Sequence, residues 1–322
     1  MSSQDLATLC DFLVDVAKRA GDIVLKARPG PQEITDKKNS ADVVTQTDQA
    51  VEAFIHQCLS QSYPKFAFIG EESFKSGVSI TELPTFVVDP IDGTSNFIHG
   101  FPEVCVSIGV LVGCVPSVGV VYNPFRGELW TAVIGQGAFL EVPNMQMSCR
   151  KRQKLPLSTA ALEMKSACIG IEFGSDREGA NFELNLKVFS TLARTAATGG
   201  RFVNSLRCTG SAALAICRVA AGQQDAFWEC GCWVWDVAAA WAILNEAGGI
   251  MVDGHPGVWD PPVDNRRYLA VRPATEGQQA FVEDFWSILG EDRSTYGPPP
   301  KSESITSTKK TNGSSLHHDQ VA

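Results

Sequence analysis

The beginning of the chain carries apolar residues at the three-and-four spacing of an amphipathic helix. They share one face, and the pattern stops near Gly21 or slightly beyond it: Leu6, Leu9, Leu13, Val16, Ala17 and Ala20. Thr47 or Asp48 suits the start of a second helix, because a short side-chain oxygen can accept from the exposed N–H groups there. Its apolar positions are Val51, Phe54, Ile55, Cys58 and Leu59. The N-terminal region is therefore predicted to contain two helices that pack on a core.

The pattern changes between residues 66 and 142 to brief apolar runs separated by Gly, Pro and Asn. Short β-branched runs joined by tight turns indicate strands in an antiparallel meander. The uncharged stretch 104–125 is long enough for a membrane span, but its glycines and prolines indicate two buried strands joined by a turn. The predicted strands are Phe66–Ile69, Thr85–Val88, Val104–Val112, Ser117–Tyr122, Glu128–Ile134 and Ala138–Val142.

The second half of the chain alternates between strand and helix patterns. The basic run Arg150–Lys154 is predicted to be a solvated loop, with an anion-binding patch as the alternative. Residues 294–322 have almost no large apolar side chain and are predicted to form a disordered tail. Strands are predicted at Ala167–Phe173, Asp225–Trp228 and Ile250–Val252, and helices at Asn181–Leu192, Ser211–Ala221 and Asp236–Ala247.

Composition and charge narrow the class of protein. The 322 residues are 44% hydrophobic and 20% charged, which is typical of a folded globular chain. Lys and Arg number 27 against 36 Asp and Glu, and the resulting net charge of −9 repels a phosphate backbone, so no nucleic-acid partner is expected. The ten cysteines lack zinc-finger or C-x-x-C spacing, and the N-terminus lacks a secretory signal. We therefore expect a cytoplasmic location and no membrane association.

Three acidic segments are candidates for chemistry: residues 70–73 (GEES), residues 89–97 (DPIDGTSNF) and Trp235-Asp236. Each alone has an ordinary structural interpretation. The two glutamates could be a solvated charge pair, the Asp-Pro and Asp-Gly pairs could be turn formers, and Asp236 could be a helix cap.

Taken together, the acids indicate a cation site. Asp89 leaves the end of a predicted buried strand, and Asp92 follows three positions later in a Gly-containing loop. Mg²⁺ prefers oxygen ligands, and a pair of such ions needs a bridging carboxylate plus further acids from other loops. Asp89, Asp92, Glu71 and Asp236 would be that set. The apolar neighbours of Asp236 make an uncompensated charge there costly, which favours a counter-cation.

Two longer stretches then resemble the signature motifs of the inositol monophosphatase family, in the expected order: residues 86–99 (FVVDPIDGTSNFIH) and residues 235–249 (WDVAAAWAILNEAGG). Residues 70–73 and 42–48 (DVVTQTD) resemble two further family elements. The similarity extends from about residue 5 to residue 290. It implies an α/β (α+β) fold, a layered αβαβα sandwich. It also implies one catalytic domain over residues 1–293, with a metal-binding half at about 1–142 and a substrate-side half at about 143–293.

The resemblance implies the metal ligands residue by residue. Glu71, Asp89 and the backbone carbonyl of Ile91 would bind a first Mg²⁺. Asp89, Asp92 and Asp236 would bind a second, with Asp89 bridging the two ions. A third, looser Mg²⁺ near Glu71 and inhibition by lithium are implied as well.

The same resemblance implies the catalytic residues and the phosphate contacts. Thr94, Asp48 and Glu71 would orient and deprotonate a metal-bound water for attack on phosphorus. The backbone N–H groups of Gly93, Thr94 and Ser95 would bind phosphate oxygens at a helix start.

Substrate hydroxyls form the last implied set of contacts. Asp92 and Asp236 reach them in the family. Further contacts are implied for Glu229, Ser175 and the segment Gly210-Ser211-Ala212, each of which has a turn or helix start as its alternative role.

The implied activity is Mg²⁺-dependent hydrolysis of a small polyol phosphate by a homodimer, with myo-inositol 1-phosphate as the first candidate. Trp233 stands where animal-type members have a histidine, which leaves specificity open. Alternative substrates within the family are 3′-phosphoadenosine 5′-phosphate, fructose bisphosphate and histidinol phosphate, and some members are linked to quinate utilisation. A non-catalytic sensor that binds metal or sugar phosphate is the alternative from another class.

Overall fold

The computed structural model describes residues 1–27, 34–39, 42–75, 79–143 and 150–296, with the backbone alone for 34–39 and 42–44. The helices of these ranges are α1 Ser3–Lys26, α2 Gln46–Ser62, α3 Thr94–His99, α4 Gly179–Ala193, α5 Ala212–Ala221, α6 Val234–Glu246 and α7 Gln278–Leu289. The strands are β1 Ile34–Asn39, β2 Asp42–Thr45, β3 Ala67–Gly70, β4 Thr85–Asp92, β5 Cys105–Val112, β6 Val115–Asn123, β7 Glu128–Val133, β8 Gly137–Pro143, β9 Arg150–Lys154, β10 Cys168–Ile171, β11 Ser205–Arg207, β12 Ala226–Cys230, β13 Ile250–Asp253 and β14 Arg267–Val271.

The strands form two large sheets and one hairpin. The first large sheet has seven strands in the order β3-β4-β5-β6-β7-β8-β9, and the second has five in the order β11-β10-β12-β14-β13. Strands β1 and β2 pair as an antiparallel hairpin. The predicted meander is present from β4 to β8, where all neighbours are antiparallel.

The sheets alternate with helices in five layers. Helices α1 and α2 bury their apolar faces against one side of the seven-stranded sheet. Helices α5 and α6 fill the space between that sheet and the five-stranded sheet. Helices α4 and α7 cover the outer face of the five-stranded sheet. The predicted αβαβα sandwich is therefore confirmed.

Strand β4 shows how the sequence generates this layering. Successive side chains of a strand point to opposite faces. Phe86 and Val88 accordingly pack against α1 and α2, whereas Val87 packs in the layer of α5 and α6. A continuous apolar run is needed because both faces of the strand are buried.

Three local predictions differ from the structure. Strand β3 pairs with β4 in parallel, so the first pair of the predicted meander is wrong; residues 71–84 are a connection long enough for a crossover. The basic run Arg150–Lys154 is strand β9, paired with β8 at the sheet edge, and not a loop. Charged residues protect an exposed edge from pairing with another chain, which explains the composition of that strand. Helix α2 begins before Thr47, because Thr45 is its N-cap.

Helix α6 lies unusually close to the seven-stranded sheet. A Cβ atom added at Gly119 of β6 would stand 2.1 Å from the carbonyl oxygen of Ala239, so a side chain there would push the helix away. Both residues are in the middle of their elements, and the contact fixes the height of the helix over the sheet. The N-terminal turn of α6, with Asp236, is thereby held over the end of β4.

The C-terminal part of the described chain folds back onto the five-stranded sheet. The amide of Ser294 donates to Nε2 of His255 (3.0 Å), and Arg267 donates to the carbonyl oxygen of Tyr296 (2.7 Å). Residues 294–296 of the predicted tail therefore pack on the body of the protein. Residues 297–322, to which the prediction of disorder also applies, lie outside the described residues.

Candidate metal and phosphate site

The end of β4 carries two buried carboxylates, Asp89 and Asp92, which are 2% and 7% exposed. In a regular strand, residues three apart point to opposite faces. Here the register against β5 shifts, because Asp89 is opposite Ser107 while Asp92 is opposite Cys105. The extra residue is a bulge, and bulges re-aim side chains. It lets both acids face the same space.

Glu71 and Asp236 reach this space from two other elements. The amide of Glu71 donates to the carbonyl oxygen of Val88 (3.1 Å), which places the residue after β3 beside the end of β4. The carboxyl group of Glu71 is hydrogen-bonded to that of Asp89. Asp236 lies in the first turn of α6, where its Oδ2 accepts from the amide of Trp233 (2.6 Å).

The electrostatics show that the four acids converge. Burial raises the pKa of Asp89, and the neighbouring carboxylates of Glu71, Asp92 and Asp236 raise it further. Burial and the charges of Glu71 and Asp92 raise the pKa of Asp236 in the same way. Burial raises the pKa of Asp92 to about 6 against the hydrogen bonds it receives. The sequence predicted this convergence, and the structure brings all four acids together.

Such a set fits divalent cations of the hard, oxygen-preferring kind. Buried carboxylates without compensation repel one another and are costly, and bound cations remove that cost. Within the described ranges, no three His, Cys, Asp or Glu side chains are already closed into a metal cage. The acids surround a common space, and within it the carboxyl groups of Glu71 and Asp89 share a hydrogen bond.

Thr94 and Asp48 form a hydrogen-bonded pair next to these acids, in which Asp48 is buried and Thr94 is half-buried. The hydroxyl of Thr94 lies 3.0 Å from Oδ1 of Asp48 and 3.1 Å from the carbonyl oxygen of Ile91. Oδ2 of Asp48 accepts from the amide of Thr45 (2.9 Å) and from its hydroxyl, in a capping box at the start of α2. Burial outweighs these bonds and raises the pKa of Asp48. The structure thus brings Thr94 and Asp48, two of the three implied catalytic residues, within hydrogen-bonding distance.

The loop after β4 is shaped for an anion. Gly93 has φ of +96°, and an added Cβ would stand 2.7 Å from the carbonyl oxygen of Glu103, so a larger residue does not fit. Helix α3 starts at Thr94. The first N–H groups of a helix lack acceptors within it, so those of Thr94 and Ser95 can face a phosphate oxygen.

A cavity of about 260 Å³ opens in front of this loop. Ser211, the N-cap of α5, donates to Oδ2 of Asp92 (2.7 Å), and the amide of Ala213 donates to the same oxygen (2.8 Å). The lining includes most of the predicted site residues: Glu71, Asp92, Gly93, Thr94, Ser95, Gly210, Ser211, Ala212, Glu229 and Asp236. Asp48 contacts it through Thr94, and Ser175 lines a neighbouring cavity of about 630 Å³.

Two residues of the site were missed by the sequence analysis. Glu172 directly follows β10, and its Oε1 accepts from the amides of Thr209 (2.6 Å) and Gly210 (2.8 Å). Burial is the largest cause of the raised pKa of Glu229, and the charge of Glu172 raises that pKa further. The side-chain nitrogen Nδ2 of Asn96 donates to the carbonyl oxygens of Glu103 (2.8 Å) and Thr209 (2.7 Å). An acid at the end of a strand was the available signal for Glu172.

The larger cavity is lined by residues between positions 174 and 296 and by Glu71, Glu72 and Phe74. Trp233, singled out in the sequence, is 39% exposed there, and its ring is stacked on Trp235 with centroids 5.2 Å apart. Arg266 and Tyr296 complete this wall, and no sequence signal predicted either of them.

No helix of the described ranges has the length and apolarity that a bilayer crossing requires.

Comparison with known proteins gives one consistent result. The model of the inositol monophosphatase family matches residues 5–289. Inositol monophosphatase 2 of Saccharomyces cerevisiae is 46% identical over 263 residues, covering 80% of this chain and 86% of the yeast protein. Protein qutG of Emericella nidulans is 37% identical over 310 residues, covering 88% and 93%. The structure of inositol monophosphatase from Anabaena superposes with a TM-score of 0.69 at 29% identity, covering 90% and 98%.

Proposed function

The chain belongs to the inositol monophosphatase family of phosphatases, and from that premise we propose that it hydrolyses a small polyol phosphomonoester with Mg²⁺, myo-inositol 1-phosphate being the first candidate. The observation that carries the proposal is the convergence of four acids, of which Asp89 and Asp92 are buried, on the space next to the Thr94–Asp48 pair. Phosphoryl transfer relies on positioning and on charge compensation, and this arrangement supplies both.

The carboxylates of Glu71, Asp89, Asp92 and Asp236, with the carbonyl oxygen of Ile91, would hold the cations. Divalent metal supplies a nucleophile at neutral pH and stabilises the leaving oxygen when it is bound. Two Mg²⁺ per subunit, and a third near Glu71, are the proposed complement. Asp92 is pre-oriented by Ser211 and by the amide of Ala213, so its free oxygen has a fixed direction.

The chain's own proton acceptor in this scheme is the Thr94–Asp48 pair, with Glu71 beside it. The Thr94 hydroxyl can donate to Asp48, which leaves its oxygen lone pairs to accept from an attacking water. A raised pKa makes Asp48 a better base than an exposed carboxylate. The N–H groups of residues 93–95 would orient the phosphate for in-line attack.

The leaving group would lie toward α5 and β12. Glu229 and Ser175, with Asp92, Asp236 and residues 210–212, are the proposed contacts for its hydroxyl groups. The relatives include a Neurospora crassa protein named quinic acid degradation cluster protein x, 36% identical over 331 residues, which favours a carboxylated cyclic polyol phosphate as the second candidate. A homodimer is proposed on the family resemblance, and a cytoplasmic location on the cysteine pattern.

Release of inorganic phosphate tests the proposal. The purified protein is given myo-inositol 1-phosphate, fructose bisphosphate, histidinol phosphate and 3′-phosphoadenosine 5′-phosphate, with Mg²⁺ and Li⁺ titrated. We expect Mg²⁺-dependent, Li⁺-inhibited release that is fastest with the inositol compound. Preference for 3′-phosphoadenosine 5′-phosphate would remove the inositol assignment, and no turnover of any compound would favour the sensor.

A further inference from the structure

The larger cavity, of about 630 Å³, adjoins the phosphate pocket and shares Glu71, Glu229 and Asp236 with it. This volume is in the range of sites for ligands larger than a single six-membered ring. A leaving group that starts at the metal centre could therefore extend into it. The question is what chemistry the wall formed by Trp233, Arg266 and Tyr296 recognises.

That wall carries one cation among the described residues of the lining, Arg266. Its Nη2 donates to the carbonyl oxygen of Gly231 (2.7 Å) and its Nε to that of Cys232 (3.4 Å). The guanidinium lies 3.5 Å over the Trp233 ring and 5.2 Å from the Tyr296 ring. An arginine side chain held on several sides loses little further entropy when it binds a ligand.

The aromatic residues act as the support for this guanidinium. Trp233 is stacked on Trp235. The ring centroid of Phe74 lies 5.5 Å from that of Trp233 and 5.0 Å from that of Trp235. Tyr296 is fixed by its hydroxyl, which donates to Asp176 (2.5 Å). The Trp233 ring thus already contacts Phe74 and Trp235. The polar group beside it in the cavity lining is the guanidinium of Arg266.

A guanidinium has five N–H donors, of which two make the backbone bonds described. The remaining edge matches the geometry of a carboxylate or a phosphate. Elsewhere the described lining carries the acids Glu71, Glu72, Glu229 and Asp236, so Arg266 is the cationic side chain of this lining that can attract a negative group.

We propose that Arg266, supported by Trp233 and Tyr296, forms a second subsite that binds a negatively charged group at the far end of the leaving group. The inference rests on the proposed phosphatase function and deepens it by naming the substrate class. Among polyol phosphates of one chain length, the subsite lowers KM for those that carry a carboxylate or a second phosphate away from the scissile bond. Neutral polyol phosphates bind without the help of this subsite.

Three compounds with one six-carbon chain test the subsite: sorbitol 6-phosphate, 6-phosphogluconate and sorbitol 1,6-bisphosphate. Their far ends are neutral, a carboxylate and a phosphate, so the last two distinguish the two anionic sources. We expect the parental enzyme to have a KM about tenfold lower for at least one anionic compound than for sorbitol 6-phosphate. Arg266→Gln should abolish that difference and leave KM for sorbitol 6-phosphate within about twofold.

Two further variants control for side effects. Arg266→Lys keeps the charge and loses the planar fork, so an intermediate KM difference is expected. Arg152→Gln removes an arginine of strand β9 that packs on Phe139, away from both cavities, and should leave all KM values unchanged. Thermal unfolding of each variant confirms that it is folded.

Binding to the Thr94→Ala variant, measured by calorimetry with Mg²⁺, separates the subsite from the chemistry. Tighter binding of an anionic compound that is lost in Thr94→Ala/Arg266→Gln supports the subsite, even if no phosphate is released from any compound and the proposed function fails. Equal binding of all three compounds, or a difference that persists in Arg266→Gln, overturns the subsite and leaves the phosphatase function standing.

Discussion

The proposed metal side and the proposed substrate side of the site are built differently. On the metal side, acids stand at the ends of buried elements, and Asp89 and Asp92 belong to one strand of eight residues. On the substrate side, Trp233, Arg266 and Tyr296 come from three loops far apart in sequence and meet through packing. Rigid elements hold chemistry in place, whereas loops set the shape of the pocket. A substitution on the metal side should therefore affect every substrate, and one on the substrate side only some.

The largest effect is expected from Asp89→Asn. This acid contacts Glu71 and faces Asp92 and Asp236, so its loss removes the proposed bridging ligand. We expect kcat to fall by at least about 10³-fold for all substrates alike. In EDTA the same variant should be as stable as the parent or more so, because one of several buried like charges is gone. Activity assays and thermal unfolding with and without Mg²⁺ measure both effects.

A variant that turned over at the parental rate would mean that Asp89 holds no metal. Asp253→Asn is a matched control, since Asp253 is also a buried aspartate but forms an ion pair with Arg267 (2.9 Å) outside the site. It should lower stability and should leave the Mg²⁺ dependence of unfolding unchanged.

The same contrast explains what could be predicted from the sequence. Asp89, Asp92 and Thr94 lie within six consecutive residues, so their spacing alone indicates that they act together. The layered fold followed from the family resemblance and is confirmed. Arg266 and Tyr296 reach the site because β14 pairs with β12 and the C-terminal segment folds back, and neither event leaves a local pattern. The sequence analysis assigned no element to residues 253–293, which contain β14 and α7.

Substitution of Asn96 is expected to have an intermediate effect, because its side chain joins the metal side to the substrate side. Its amide donates to Glu103 on one side and to Thr209 and Gly210 on the other. Asn96→Leu has a similar volume and no donor, so these carbonyl groups lose a partner. We expect the free energy of unfolding to fall by about 1–3 kcal/mol. We also expect kcat/KM to fall by about 10- to 100-fold, by the same factor for neutral and anionic substrates.

Urea unfolding and steady-state kinetics check these values. Gln136→Leu serves as the control, since it removes an amide that donates to Ser3 (2.8 Å) on another part of the surface. If Asn96→Leu changed the ratio between neutral and anionic substrates, the residue would belong to the substrate side and would not be a link between the two.

The smallest expected effect is a difference in the pH dependence of stability, to which Asp92 and His255 contribute with opposite sign. Burial raises the pKa of Asp92 to about 6, so without metal the folded protein holds more protons there, and that part of its stability falls as pH rises through this value. His255 behaves in the opposite way. Burial and Arg267 lower its pKa to about 4, with Asp253 opposing and Arg293 adding to the shift. The unfolded chain then holds more protons between pH 6.5 and 4, so stability falls as pH falls through that window.

His255→Gln isolates the substrate-side contribution, because an amide oxygen can still accept from the amide of Ser294. In EDTA, the loss of Tm between pH 7 and pH 5 should be smaller in the variant than in the parent. Since the ring keeps some contact with solvent, we expect the difference to be about 1 kcal/mol, or roughly 1–2 °C in Tm. Parallel Tm curves for variant and parent would show that His255 does not titrate in this window. The C-terminal segment would then be held by Arg267 and Asn181 without any pH-dependent contribution from this histidine.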